Sequence, residues 1–206
     1  MNLLRLAQCA VARGLTPGCW AVDATAGRGS DTCFLAHAVG TAGRVIAFDV
    51  QAEALTSTRE RLERESVLDR VHLVHASHAC LSEHLPDPAR GRLAAVMFNL
   101  GYLPKGGSPS VITRPESTVQ ALEQACAQLQ PGGVLSVVSY RGHSGGAEED
   151  AAVAHFFASR LHSWLTHLHH PHAPTTTTPV LRLAIAPASA VQGSPHDLLL
   201  PRPSAF

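Results

Sequence analysis

The chain lacks any uninterrupted apolar run of the roughly 18 residues that a membrane-spanning helix requires, so no membrane partner is expected. It also lacks paired cysteines: Cys9, Cys19, Cys33, Cys80 and Cys126 are scattered, odd in number and never spaced C-x-x-C. That pattern argues against a disulfide framework or a zinc ribbon, and for a reducing, cytoplasmic setting. Net charge is absent too, with 16 Lys and Arg against 16 Asp and Glu. An indiscriminate nucleic-acid binder carries a basic excess, so any such contact here has to come from a local patch. There is no internal repeat and no unbroken apolar leader. The opening MNLLRLAQCAVARGLTPG is interrupted by Arg5, Gln8 and Arg13 and reads as an amphipathic helix. A short basic, acid-free start also suits an organelle transit segment, but this one runs directly into the first strand.

What is present is an ordinary globular composition, 206 residues with 45% hydrophobic and 16% charged, enough for one domain with a sizeable core. Strand patterns at 19–25, 44–50, 71–77, 93–100 and 134–140 alternate with helical patterns at 31–40, 52–67, 115–129 and 147–161. A short helix near CLSEHL interrupts the series, and PGG (131–133) ends the third long helix. Alternation of this kind predicts an α/β fold with a doubly wound, mostly parallel sheet, covered on both faces because its strands are almost continuously apolar. After residue 161 two extended stretches, 162–170 and 180–186, predict a closing antiparallel hairpin and seven strands in all. Residues 1–187 are therefore expected to form one domain and 188–206 a C-terminal extension. The histidine-rich HSWLTHLHHPH (162–172) lacks defined ligand spacing and Cys or carboxylate partners, so it reads as a solvent-facing strand edge; no metal site is expected.

In open parallel sheets ligands sit at the carboxyl ends of the strands. The first strand runs into DATAGRGSDT, whose Gly27 and Gly29 permit close backbone approach. Asp49, twenty residues beyond Gly29, ends the second strand, where a carboxylate accepts hydrogen bonds from ribose hydroxyls. NAD and S-adenosylmethionine both fit this pair. NAD prefers a third glycine, where Thr32 stands, and its pyrophosphate would meet Asp31 at the helix entrance. Asp23 and Asp31 suit an ammonium and a sulfonium, which favours S-adenosylmethionine. The third strand ends at Ser77 and His78, read either as adenine contacts or as a helix cap and a packed histidine. The fourth ends in NLGYLPKGG, where Asn99 offers a carbonyl acceptor and an amide donor and Tyr102 a ring face, unless Gly101 and Pro104 simply turn a loop. After the fifth comes YRGHSGGAEE, whose glycines, His143 and acidic pair Glu148 and Glu149 could line the substrate side, unless the two acids simply suit a helix start.

VDATAGRGSDT, AFDVQ, the SH pair, VMFNLGYLPKG and GHSGG followed by an acid, in that order, resemble the S-adenosylmethionine-dependent tRNA 5-aminomethyl-2-thiouridine methyltransferases, a family once labelled rRNA methylases. The likeness runs from about residue 1 to 187. It implies a class I, Rossmann-like methyltransferase that converts the 5-aminomethyl group of the wobble uridine, in a tRNA anticodon stem-loop, to methylaminomethyl. Carried over, it makes Ala26, Gly27, Arg28, Gly29, Asp31 and Thr32 the cofactor loop. Asp49 and Gln51 would serve the ribose and adenine region, Ser77 and His78 the adenine side, and Asn99 the reacting end. The family has Asn and His where this chain has Arg28 and Ser30, and Pro at Arg141. The two arginines read as phosphate contacts.

A sulfonium methyl is already electrophilic, so transfer to an amine needs in-line placement more than strong acid–base catalysis. The Asn99 carbonyl would accept from the amine and aim its lone pair, Tyr102 would pack on a base, and His143, with a reference pKa of about 6.5, is the candidate proton acceptor. Arg28, Arg92, Lys105, Arg114 and Arg141 lie near predicted strand ends and could converge on one RNA-facing rim; scattered solubilising charge is the alternative. A homodimer would widen that rim, with no motif to support it. Competing readings are a methyltransferase for rRNA or a small amine, an NAD-dependent oxidoreductase, for which no hydride-transfer acid is evident, and a non-catalytic binding module. Intact NLGYLP beside intact GHSGG speaks against the last.

Overall fold

The structure is a computed structural model in which residues 2–101, 112–169 and 175–187 are described. In β1 (Trp20–Asp23), β2 (Arg44–Asp49) and β4 (Leu93–Leu100) nearly every side chain is buried, on both faces of the sheet. Successive strand residues point to opposite faces, and the core divides accordingly. Val22, Ile46, Val96 and Phe98 pack with α4 (Pro115–Gln128) and α5 (Gly146–Arg160). Ala21, Val45, Ala95 and Met97 pack with α1 (Leu3–Ala12), α2 (Ser30–Val39) and α3 (Ala52–Arg64). Truncating a central residue such as Phe98 to Ala would cost about 3–5 kcal/mol.

With β3 (Val71–His75), β5 (Leu129–Ser139), β6 (Leu165–His169) and β7 (Val180–Ile185), the sheet has seven strands in the order β3-β2-β1-β4-β5-β7-β6. The first five are parallel, and β7 runs antiparallel to both β5 and β6. The expected doubly wound sheet with its C-terminal hairpin is thus present. Chain order reverses between β1 and β4, and that switch point opens the crevice for a ligand.

Two local expectations needed correction. The edge strand β3 is not covered on both faces, for His72 and His75 are exposed. The PGG segment does not lie between a helix and a strand; it lies inside β5, which starts at Leu129. Leu93 pairs with Leu129, whereas Ala95 pairs with Val134, so the extra residues are accommodated as an irregularity in the ladder. Gly132 takes φ 76° there, and a Cβ on Gly133 would lie 2.8 Å from the Leu93 carbonyl oxygen. Glycine is what lets β5 close up against β4 at this point.

None of the described helices is long and apolar enough to cross a membrane.

Candidate functional site

A cavity of about 440 Å³ lies at the carboxyl ends of β1, β2 and β4. Its floor on the β1 side is the segment 24–28, which three side chains hold from outside. Asp49 Oδ2 accepts from the Gly27 N–H at 2.9 Å, while its Oδ1 accepts from the Gln51 N–H at 2.9 Å. From α3, Thr58 Oγ1 donates to the Gly27 carbonyl at 3.0 Å and Arg61 Nε to the Arg28 carbonyl at 2.8 Å. Gly29, at φ 74°, is needed for this clamp: a Cβ there would sit 3.0 Å from Thr58 Cα and Cγ2. Its missing side chain makes room for a helix, not for a ligand.

Ala26, Gly27, Arg28, Asp31, Asp49 and Gln51 all line the cavity, as do Ser77, His78 and Asn99. Asp23, Gly29 and Thr32, also named from sequence, stand behind its wall. Asp23 is fully buried; its carboxylate accepts from the Thr32 hydroxyl at 2.6 Å and the Thr25 N–H at 3.1 Å. Burial first, and then the Asp31 carboxylate, push its pKa up to about 7. Desolvation likewise raises the carboxyl of Asp49, against the pull of the Gln51 and Gly27 amides.

Among the described residues, two buried polar atoms at this cavity have no hydrogen-bond partner. His78 is only 7% exposed, and its Nδ1 lies 3.3 Å from the Ala24 carbonyl oxygen. A carbonyl only accepts, so Nδ1 carries the proton and Nε2 is the acceptor. Nε2 is buried and has no hydrogen-bond partner among the described residues. Burial holds the ring neutral, with its pKa lowered to about 4. Ser77 caps the following 3-10 turn (His78–His84), accepting from the Ala79 N–H at 3.2 Å.

The second such atom belongs to Asn99. Its Nδ2 donates to Asp31 Oδ2 at 2.6 Å, and Gln8 Nε2 from α1 donates to Asp31 Oδ1 at 2.6 Å. A carboxylate only accepts, so the amide group of Asn99 is oriented toward Asp31 and its carbonyl oxygen away from it. That Oδ1 is buried and has no hydrogen-bond partner among the described residues. The Asn99 main chain is fixed as well, by Thr25 Oγ1 at 2.7 Å.

The substrate side adds Thr113 and Thr118, which the sequence reading passed over, to Tyr140 and Glu149 of the YRGHSGGAEE stretch. Tyr140, just after β5, lines the cavity, and burial together with the Asp31 carboxylate raises its phenol pKa. Glu149 on α5 is 1% exposed and accepts from the Thr113 and Thr118 hydroxyls at 2.6 Å each. Thr113 Oγ1 in turn accepts from the Gly101 N–H at 2.9 Å, and the Thr113 N–H donates to the Gly101 carbonyl at 3.0 Å. Glu149 therefore ties the two ends of the 101–113 segment to α5. The acid in GHSGGAEE was visible in the sequence, but its threonine partners lie 31 and 36 residues away. His143 does not line the cavity; its Nδ1 meets the Ser144 carbonyl at 2.9 Å, and a Cβ on Gly101 would lie 3.4 Å from its Nε2. Tyr102 and Lys105 fall outside the described residues.

The basic rim is smaller than expected. Arg28 and Arg114 are exposed, the latter beside cavity-lining Thr113. Arg141 Nε instead faces Asp150 at 3.5 Å, and Asp150 also pairs with the buried Arg182 of β7. Arg92 precedes β4, which places it at the opposite end of the sheet from the cavity.

The chain resembles known proteins along this whole frame. It is 41% identical over 143 residues to an Arabidopsis thaliana protein named tRNA (mnm(5)s(2)U34)-methyltransferase, chloroplastic, a match over 66% of this chain and 51% of that one. The chain thus spans about half the length of that relative. The crystal structure of a "putative rRNA-methylase" from Clostridium thermocellum superposes with a TM-score of 0.84 at 35% identity, covering 90% of this chain and 97% of that one. A "putative methyltransferase" from Streptococcus mutans, solved in complex with SAH, superposes with a TM-score of 0.78 at 33% identity, over 90% and 98%. The fold is that of the class I methyltransferases. Matched over residues 45–185, the chain belongs to the family described as "Putative rRNA methylase".

Proposed function

We propose that this protein is an S-adenosylmethionine-dependent N-methyltransferase that converts the 5-aminomethyl group of the wobble (2-thio)uridine in tRNA to methylaminomethyl. The observation that carries the reading is Asn99, whose amide is committed to Asp31 while its buried carbonyl oxygen has no hydrogen-bond partner among the described residues. An acceptor held in this way selects a substrate group that donates, as an amine does. The name of the Arabidopsis relative supports the same substrate.

The residues present fit S-adenosylmethionine. Asp49 has further lone pairs for ribose hydroxyls beyond those used by Gly27 and Gln51. The unpartnered Nε2 of His78 is an acceptor for an exocyclic amine such as that of adenine. Asp31 supplies negative charge where an ammonium and a sulfonium would lie, a charge that a pyrophosphate would avoid. When bound, the cofactor supplies an electrophilic methyl group.

The chain's own task is placement. Asn99 accepts from the amine and aims its lone pair, in a geometry set by Asp31, Gln8 and Thr25. Close alignment of reacting atoms accounts for a large share of such rate enhancements. Tyr140 flanks this end and Tyr102 would pack against a base, while His143, the candidate proton acceptor, stands back from the cavity lining. Arg28, Lys105 and Arg114 would meet the anticodon stem-loop, in a cytosolic setting that suits cysteines kept as free thiols. A homodimer would widen this small basic surface.

Mass spectrometry of tRNA nucleosides after incubation with protein and S-adenosylmethionine tests the reading. Methylaminomethyl-(2-thio)uridine should accumulate at the expense of its aminomethyl precursor. A methyl group on another nucleoside, or on none, overturns it.

A further inference from the structure

On the face of the α2–α3 pair away from the cavity, three different donor groups converge. Cys33 and His37 are four residues apart on α2 and so project from the same side of the helix. Glu65 comes from the end of α3, a position held by its N–H bond to the Arg61 carbonyl at 3.1 Å. The Cys33 sulfur, a His37 ring nitrogen and a Glu65 carboxylate oxygen all lie within 4.8 Å of one another. His37 Nε2 and Glu65 Oε2 are 3.8 Å apart.

We propose that Cys33, His37 and Glu65 form a binding site for a zinc-class divalent cation, with water completing the coordination. Metal–ligand bonds of about 2.0–2.3 Å in a tetrahedral site place donor atoms about 3.3–3.8 Å apart. For a nitrogen and an oxygen donor the range narrows to about 3.3–3.5 Å, so His37 and Glu65 at 3.8 Å must close by a few tenths of an ångström, and the sulfur lies within 4.8 Å of both. The donor set also fits the metal. A thiolate, an imidazole and a carboxylate are the borderline-soft combination that zinc accepts and that calcium and magnesium do not favour.

As a simple ion pair the arrangement does little. The His37 and Glu65 side chains are 54% and 53% exposed, and ion pairs so open to water contribute about 0–1 kcal/mol. With a divalent cation bound, the Cys33 thiol gives its proton to solvent, and the thiolate and carboxylate share one positive partner. None of the three residues lines the cavity. The cation's role would be to join α2 to the end of α3, the two helices that meet the 24–29 segment, at α2's N-terminus and through Thr58 and Arg61.

Cobalt(II) and zinc chloride, titrated into the full-length, tag-free and reduced protein, provide the test. One cobalt per chain should bind with a thiolate-to-metal charge-transfer band that zinc then abolishes. Cys33→Ser should remove the band, and His37→Gln and Glu65→Gln should each weaken affinity by about tenfold or more. The latter two side chains are more than half exposed, so those variants should fold and keep the metal-free melting temperature. With 13 histidines in the chain, thiolate-free binding elsewhere is easy to obtain, which is why the sulfur band decides the outcome. No sulfur band at one equivalent, a band that survives Cys33→Ser, or an affinity indifferent to both His37→Gln and Glu65→Gln would overturn the proposal.

Discussion

On the β1–β2 side of the cavity, the main chain of the segment 24–28 is itself held by side chains. Asp49 holds the Gly27 amide, Thr58 the Gly27 carbonyl and Arg61 the Arg28 carbonyl. On the β4–β5 side the surface is made of side chains, and each is aimed by another: Asn99 by Asp31, Asp31 by Gln8, Thr113 by Glu149. The first construction tolerates a change of side chain at the loop itself, as at the exposed Arg28. The second does not, because removing any member frees a buried polar group to choose another orientation. The first side suits recognition of an invariant cofactor, the second positioning of a reacting group.

The largest effect that would break this division lies at Asn99. For Asn99→Ala, methyl transfer to tRNA at saturating cofactor should fall by about 10²-fold or more, the scale of a misplaced reacting group. Calorimetric affinity for S-adenosylmethionine should change little. Near-normal turnover would mean that the β4 side does not aim the amine.

Asp49→Ala should do the converse. Hydrogen bonds to a charged group contribute about 1.5–3 kcal/mol, so cofactor affinity should fall by about 10- to 100-fold while turnover at saturation is largely kept. Unchanged binding in calorimetry would remove Asp49 from the ribose assignment.

The remaining effect, on stability rather than on activity, concerns Asp23, behind the wall of the first side. Its carboxyl is raised from 3.8 to about 7, so the folded state holds a proton that the unfolded chain releases. Stability from this group is present below pH 3.8 and is lost as pH rises to about 7. Asp23→Asn cannot ionise. Its melting temperature relative to the wild type should therefore climb between pH 4 and 7 and level off above, whatever its constant offset. A difference that stays flat across that range would show that Asp23 ionises normally.

How much of this could be read in advance follows from how local each feature is. LAAVMFNL announced a buried strand because every residue but Asn99 had to be covered, and Asp49 followed AF as the second strand's terminal acid. PGG was misplaced because in a local reading Pro and Gly end elements, whereas here they fill a widened register between β4 and β5. Gly29 was credited to a ligand because nothing local reveals that Thr58 would occupy its missing Cβ. Arg92 and Arg141 were counted on the rim because charge shows in a sequence, but neither its end of the sheet nor its partner does.

By itself, then, the sequence determined the alternating elements, the parallel sheet with its closing hairpin and the acids and amide at the strand ends. These depend on periodicity and on order along the chain, which are local properties. Only the tertiary structure decided which acceptors go unused. Whether Asn99 Oδ1 or His78 Nε2 has a partner depends on Asp31 and Ala24, brought in from other elements 68 and 54 residues away. It alone joined Glu149 to two threonines and Glu65 to Cys33 and His37. Hydrogen bonds and coordination reach only about 3 Å, and at that range distance along the chain carries no information.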